Sequence, residues 1–134
     1  MKVFIDSNIP MYVAGGEHEN REPARRFLER VENREVDSCT STEVLQEILC
    51  RYSALSRRDL GGKVYDLFVE ACPEVLDVTL ADLDRAKDLL TRSPGISARN
   101  ALHTALMLNH EIEWIATFNR EFDRIPGVKR MKLA

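Results

Sequence analysis

Val3, Phe4 and Ile5 run directly into Asp6, and no other stretch constrains the fold of this chain as tightly. A short apolar run with β-branched and aromatic residues reads as a buried strand. Ser7 and Asn8 suit a turn or a helix N-cap, and Pro10 sits where a first helical turn tolerates it. A carboxylate is thereby delivered at the carboxyl end of an N-terminal strand, ahead of a helix over residues 8–14. In open α/β sheets that edge gathers ligands and catalytic groups. Asp is also a good helix cap, and this stretch alone does not separate the two roles.

The rest of the chain repeats the alternation. Ala24, Phe27, Leu28 and Val31 stand at helical spacing within residues 21–33, and residues 35–38 form a weak second strand. Thr40 or Ser41 opens a helix over about 41–56, with Val44, Leu45, Ile48, Leu49 and Tyr52 as its core face. A helix over 58–72 presents Val64, Leu67, Phe68 and Ala71, and Pro73 ends it. Residues 75–78 read as a strand, Thr79 as the cap of a helix over 80–92, and Ser93-Pro94-Gly95 as a turn. A helix over 97–110, a core strand at Trp114, Ile115 and Ala116, a helical turn at 120–124 and an edge strand at 128–132 complete the series. This order predicts a single α/β domain over 1–134, a parallel sheet with helices on both faces.

Composition narrows the class. With 134 residues, 44% of them hydrophobic and 31% charged, the chain reads as one ordinary globular domain. No apolar run approaches the ~20 residues that span a bilayer, and Lys2 and Asp6 do not make a signal peptide, so no membrane partner is expected. Cys39, Cys50 and Cys72 lack CxxC spacing and read as reduced thiols of a cytoplasmic protein. A net charge of −3 argues against a bulk nucleic-acid binder but not against a nuclease, whose acids are offset by bound cations. The basic clusters Arg21, Arg25, Arg26, Arg30 and Arg51, Arg57, Arg58 read as solvated helix faces.

Polar residues converge at comparable strand ends. Asp6 follows the first strand. Glu43 and Glu47, at i and i+4, share a face of the helix after the second. Asn119, Glu121 and Asp123 follow the Trp114 strand, and Asn100 stands one turn into the preceding helix, on a face with His103, Thr104 and Met107. Carboxylates in one pocket repel unless a cation sits between them, and hard oxygen ligands suit Mg²⁺ or Mn²⁺. Such an ion can activate water and stabilise displacement at phosphorus. Single acids also have a plain structural reading: Glu43 favours a helix N-terminus, and Asp123 pairs with Arg120 or Arg124, whereas Glu47, beside Ile48 and close to the apolar stripe, fits such a reading less well. His103 and His110 lie about 10 Å apart along a helix, too far to share one metal. His103 reads as a polar residue at the cleft edge or facing a partner.

FIDSNIPMY, STEVLQEIL and ISARNALHTALMLNHEIEWIATFNREFDRIPGV, in that order, resemble a PIN domain, and specifically the toxin ribonucleases of VapC type. The resemblance implies a five-stranded parallel sheet flanked by helices on both faces and an acidic pocket that binds Mg²⁺, or Mn²⁺, and cleaves single-stranded regions of RNA. By position, Asp6 corresponds to the first acid and Glu47 to the second. The third acid falls at Asn100, in SARNALH where SARDALH is usual, and the fourth in TFNREFD, where Glu121 can supply the charge. Asp6, Asn100 and Glu47 are then the metal-site candidates, with Glu121 as a further catalytic candidate and Glu43, Asn119 and Asp123 as helpers. The resemblance also implies an antitoxin partner and a homodimer.

Asn100 is the departure that matters. An amide oxygen can contact a hard cation but brings no charge and cannot act as a base. Metal-dependent endoribonuclease is the leading expectation. A catalytically silent PIN-like domain that binds RNA or a protein is the alternative. A phosphatase using Asp6 as nucleophile fits poorly, because a second acid is usual two residues on and Asn8 stands there.

Overall fold

The computed structural model describes residues 1–133. Five strands form one sheet: β1 (Val3–Ile5), β2 (Ser38–Ser41), β3 (Val75–Leu76), β4 (Trp114–Ala116) and β5 (Lys129–Arg130), in the order β3-β2-β1-β4-β5. Every pairing is parallel, and the register sets Val3 between Ser38 and Trp114. The helices are α1 (Asn8–Ala14), α2 (Arg21–Glu32), α3 (Thr42–Ala54), α4 (Arg58–Ala71), α5 (Leu80–Arg92) and α6 (Ala98–Asn109), with a 3₁₀ turn at Arg120–Arg124. They cover both faces of the sheet. Parallel strands need such crossovers, and a sheet buried on both sides requires uniformly buried strands. Accordingly Val3, Phe4, Ile5, Cys39, Ile115 and Ala116 are all fully buried.

The first strand is the middle of the sheet. From β1 the chain moves outward through β2 to β3, then returns past β1 to add β4 and β5 on the other side. The strand order therefore reverses between β1 and β4, and the carboxyl ends of those two strands open the crevice where α/β sheets bind ligands.

Three expectations need correction. The second strand is Ser38–Ser41, not residues 35–38. Its buried side chains are small and polar, and strand pairing fixes them: Thr40 Oγ1 donates to Ile5 O at 2.9 Å. Hydrophobicity alone gives no such signal. Leu49 is 41% exposed and leaves the core face assigned to it, and Leu67, apolar in the 58–72 helix, is 67% exposed. The outer strands are shorter than expected, two residues each at β3 and β5, because only those residues find a partner.

Local rules account for several boundaries. Ser41 caps α3 by accepting the Val44 N–H at 3.2 Å. Thr79 and Asp82 form a reciprocal capping box at the start of α5. At Gly61, α4 crosses α3 so closely that an added Cβ would lie 2.8 Å from Tyr52 Cβ. Among the described residues no helix is long and apolar enough to cross a membrane.

Candidate active site

Asp6 is buried at the crevice, and its side chain does not cap α1. Its Oδ1 accepts the Ser7 N–H at 2.7 Å, and its Oδ2 accepts from Thr117 Oγ1 at 2.7 Å and Asn8 Nδ2 at 3.3 Å. Asn8 also donates to Thr117 Oγ1 at 2.9 Å, and its Oδ1 accepts the Phe118 N–H at 3.3 Å. The residues just past β1 and β4 therefore brace one carboxylate with several donors. A carboxylate so bonded is fixed in rotamer.

Glu47 arrives from the second turn of α3 and is also buried. One oxygen is hydrogen-bonded to His103 Nε2, and the other accepts from Ser7 Oγ at 3.3 Å. Arg99 Nε lies 3.6 Å from that second oxygen. His103 is 1% exposed, packs against Phe4 with ring centroids 5.5 Å apart, and holds Nε2 3.8 Å from Asp6 Oδ1. Its Nδ1 has no partner. Burial would lower the imidazole pKa, but the Glu47 hydrogen bond and the charges of Asp6, Glu47 and Glu43 outweigh it and hold the group above its ordinary value. Half-buried Glu43 feels the same crowding: burial and then the charge of Glu47 raise its carboxyl above the usual range.

Ligand atoms of Asp6, Glu47 and His103 lie within 4.8 Å of one another. Two buried carboxylates this close are costly by several kcal/mol unless a cation accompanies them. Two carboxylates offer hard oxygen donors of the kind a small divalent cation takes, while His103 Nε2 is engaged by Glu47.

Asn100 is buried one turn into α6, and its amide donates to Glu121. Glu121 also accepts the Ser97 N–H at 3.1 Å and Ser97 Oγ at 3.4 Å, which ties the 3₁₀ turn to the start of α6. Arg99, Asn100, Ser97, Asn119 and Glu121 together line an open cleft of about 630 Å³.

A PIN-domain model matches residues 3–128. Ribonuclease VapC13 of Mycobacterium tuberculosis is 40% identical over 129 residues, covering 96% of this chain and 98% of that protein. The chain belongs to the VapC group of the PIN-domain family. Solved structures similar to this PIN domain include VapBC2 from Rickettsia felis bound to a promoter DNA fragment, with TM-score 0.77 and 18% identity over 98% of each chain. A toxin–antitoxin complex from Klebsiella pneumoniae follows, with TM-score 0.67 and 17% identity over 95% of each. At such identities these two speak for the fold.

Of the acids expected in this PIN domain, Asp6 and Glu47 bring ligand atoms within 4.8 Å of each other, Glu43 stands one turn before Glu47 and feels its charge, and Glu121 joins Asn100 instead of the pair. Asn119 is an exposed cap whose Oδ1 accepts the Glu121 N–H at 3.0 Å. Asp123 stays out of the site: Arg130 Nε and Nη2 hold its two oxygens at 3.0 and 3.1 Å, and this pairing lowers its pKa. That partner is Arg130 of β5, not the Arg120 or Arg124 expected from sequence proximity. His103 needs the larger correction, since it is neither at the cleft edge nor facing a partner. It stands one turn beyond Asn100 on the same face, which is the signal that could have assigned it to the site. Thr117 and Arg99 were also missed; Thr117 follows a core strand as Asp6 does.

Proposed function

We propose that this chain is the toxin ribonuclease of a VapBC-type pair, a Mg²⁺- or Mn²⁺-dependent endoribonuclease acting on RNA. The observation that carries this reading is the meeting of buried Asp6 and Glu47 beside His103 at the strand-order reversal. Membership in the VapC group supports it. Asp6 and Glu47 would hold the divalent cation, which when bound supplies Lewis acidity toward the phosphodiester and lowers the pKa of water.

The protein's own contribution is positional. Thr117, Asn8 and Ser7 hold the Asp6 carboxylate in one rotamer. His103 holds one oxygen of Glu47, which leaves the second, beside Arg99, to hold the cation and through it the attacking water. Asn100 adds no charge and cannot act as a base, so it reduces cation affinity relative to an aspartate. Its bond to Glu121 keeps that carboxylate satisfied without an ion.

An antitoxin would cover an apolar groove of about 620 Å³ lined by Met11, Tyr12, Tyr52, Leu55 and Leu60. The groove reaches Asn8, which touches Asp6, so a segment seated there blocks the site. Leu80, Leu83 and Leu90 share one exposed face of α5, the candidate surface for a homodimer. A cytoplasmic site of action accords with RNA as substrate and with the free cysteines.

Cleavage of a mixed-sequence single-stranded RNA with Mg²⁺, with Mn²⁺ and with EDTA tests the reading. Activity should require the metal, fall away in Asp6→Ala and rise in Asn100→Asp. Metal-independent RNA binding without cleavage, in both the natural chain and Asn100→Asp, would instead establish a silent binding module.

A further inference from the structure

We propose that Arg99 couples RNA binding to metal binding by sharing Glu47 with the cation; the inference rests on the ribonuclease reading above. Arg99 lies in the first turn of α6, beside Asn100, and its side chain is 63% exposed where that of Glu47 is 7% exposed. Its Nε sits 3.6 Å from Glu47 Oε2. That oxygen has one other partner, Ser7 Oγ at 3.3 Å, while Oε1 is taken by His103. Among the described residues Arg99 is thus the only arginine or lysine paired with a carboxylate that a divalent cation needs.

A guanidinium and a dication on one carboxylate repel, so in the free protein Arg99 weakens the hold on metal. The pair itself is loose, because the guanidinium is largely exposed and its Nε stays 3.6 Å from the oxygen. A phosphate entering the cleft that Arg99 lines offers the guanidinium a bidentate partner, which is the stronger contact. Swinging to that phosphate frees Glu47 Oε2. By reciprocity, an ion at Asp6 and Glu47 drives Arg99 toward the phosphate, and each ligand tightens the other. Arg99 is a positioning residue in this account, acting through Glu47 and the phosphate.

The test measures Mn²⁺ affinity of the full chain by EPR, without RNA and with a phosphorothioate-linked single-stranded RNA that resists cleavage. Arg99→Ala should bind Mn²⁺ about 3- to 10-fold more tightly without RNA, and should lose the gain in Mn²⁺ affinity that RNA gives the natural chain. Arg99→Lys should stay near the natural chain in the RNA-free measurement. Fluorescence anisotropy in EDTA should show Arg99→Ala binding RNA severalfold more weakly, with a log–log salt slope shallower by about 0.7. Equal Mn²⁺ affinity in the natural chain and Arg99→Ala, abolished by Asp6→Ala, overturns the coupling alone. RNA that tightens Mn²⁺ equally in both chains also overturns it. Mn²⁺ binding that is absent, or unchanged by Asp6→Ala, overturns the metal reading and the coupling with it.

Discussion

The amide of Asn100 donates its hydrogen to the carboxylate of Glu121. A carboxylate only accepts, so this contact requires a donor at position 100, and an ionised aspartate there would set two negative charges face to face.

Asn100→Asp should therefore trade stability for metal response. Without divalent cation the variant loses a charge-assisted hydrogen bond and gains repulsion, a change of about 2–3 kcal/mol. Thermal unfolding in EDTA should show a lower Tm than the natural chain. Titration with Mg²⁺ should raise the variant's Tm more than the natural chain's, through binding to the folded state alone. Equal responses to Mg²⁺ would contradict a cation site reaching position 100.

His103→Ala should be among the more destabilising substitutions in the molecule. It opens a cavity against Phe4 and leaves Glu47 buried without its main partner. Loss of packing and of a buried partner predicts about 3–5 kcal/mol, read as a shift of the urea midpoint. Adding Glu47→Gln should recover part of that loss, since the neutral amide needs no buried counter-charge.

Gly61→Ala and Gly62→Ala should have opposite signs. Both sit inside α4, where alanine is the better helix former by ~1 kcal/mol. At Gly62 a Cβ meets nothing within 4 Å, so the substitution should stabilise. At Gly61 the Cβ meets Tyr52 Cβ at 2.8 Å, both anchored to helix backbones, and overpacking of about 1–3 kcal/mol should exceed the helix gain. A Tm raised by both changes would show that α3 and α4 separate freely.

Alkaline pH should unfold the protein through two thiols. Burial pushes Cys39 and Cys72 up to about 12 from an ordinary 9.0. Above pH 9 the unfolded chain releases those protons and the folded chain keeps them, so stability falls as pH rises from about 9 to about 12. Iodoacetamide at pH 8 should label exposed Cys50 first, with Cys39 and Cys72 reacting only after urea is added.

The architecture was legible because its signals are local. Alternating apolar runs and helical stripes marked the order of elements, and Ser41 and Thr79 marked helix starts through their side-chain oxygens. β2 was displaced because Ser38, Thr40 and Ser41 are buried by pairing with β1 and β3, which no windowed pattern reports. At the site, Asp6 and Glu47 stood out as acids near apolar stripes. The place of His103 depends on α6 packing over β1 so that Nε2 meets a glutamate 56 residues away. Asp123 found Arg130 because β5 returns alongside the 3₁₀ turn, a contact set by tertiary folding.

The central position of β1 has a consequence for synthesis. Asp6 is made 111 residues ahead of its hydroxyl brace, Thr117. The sheet cannot close around β1 until β4 has left the ribosome, and a nascent chain emerges N-terminal end first. A chain halted before Trp114 carries Asp6 and Glu47 but lacks the strand that walls their crevice. The wall of the crevice beside Asp6 is therefore among the last parts of the sheet to be laid down.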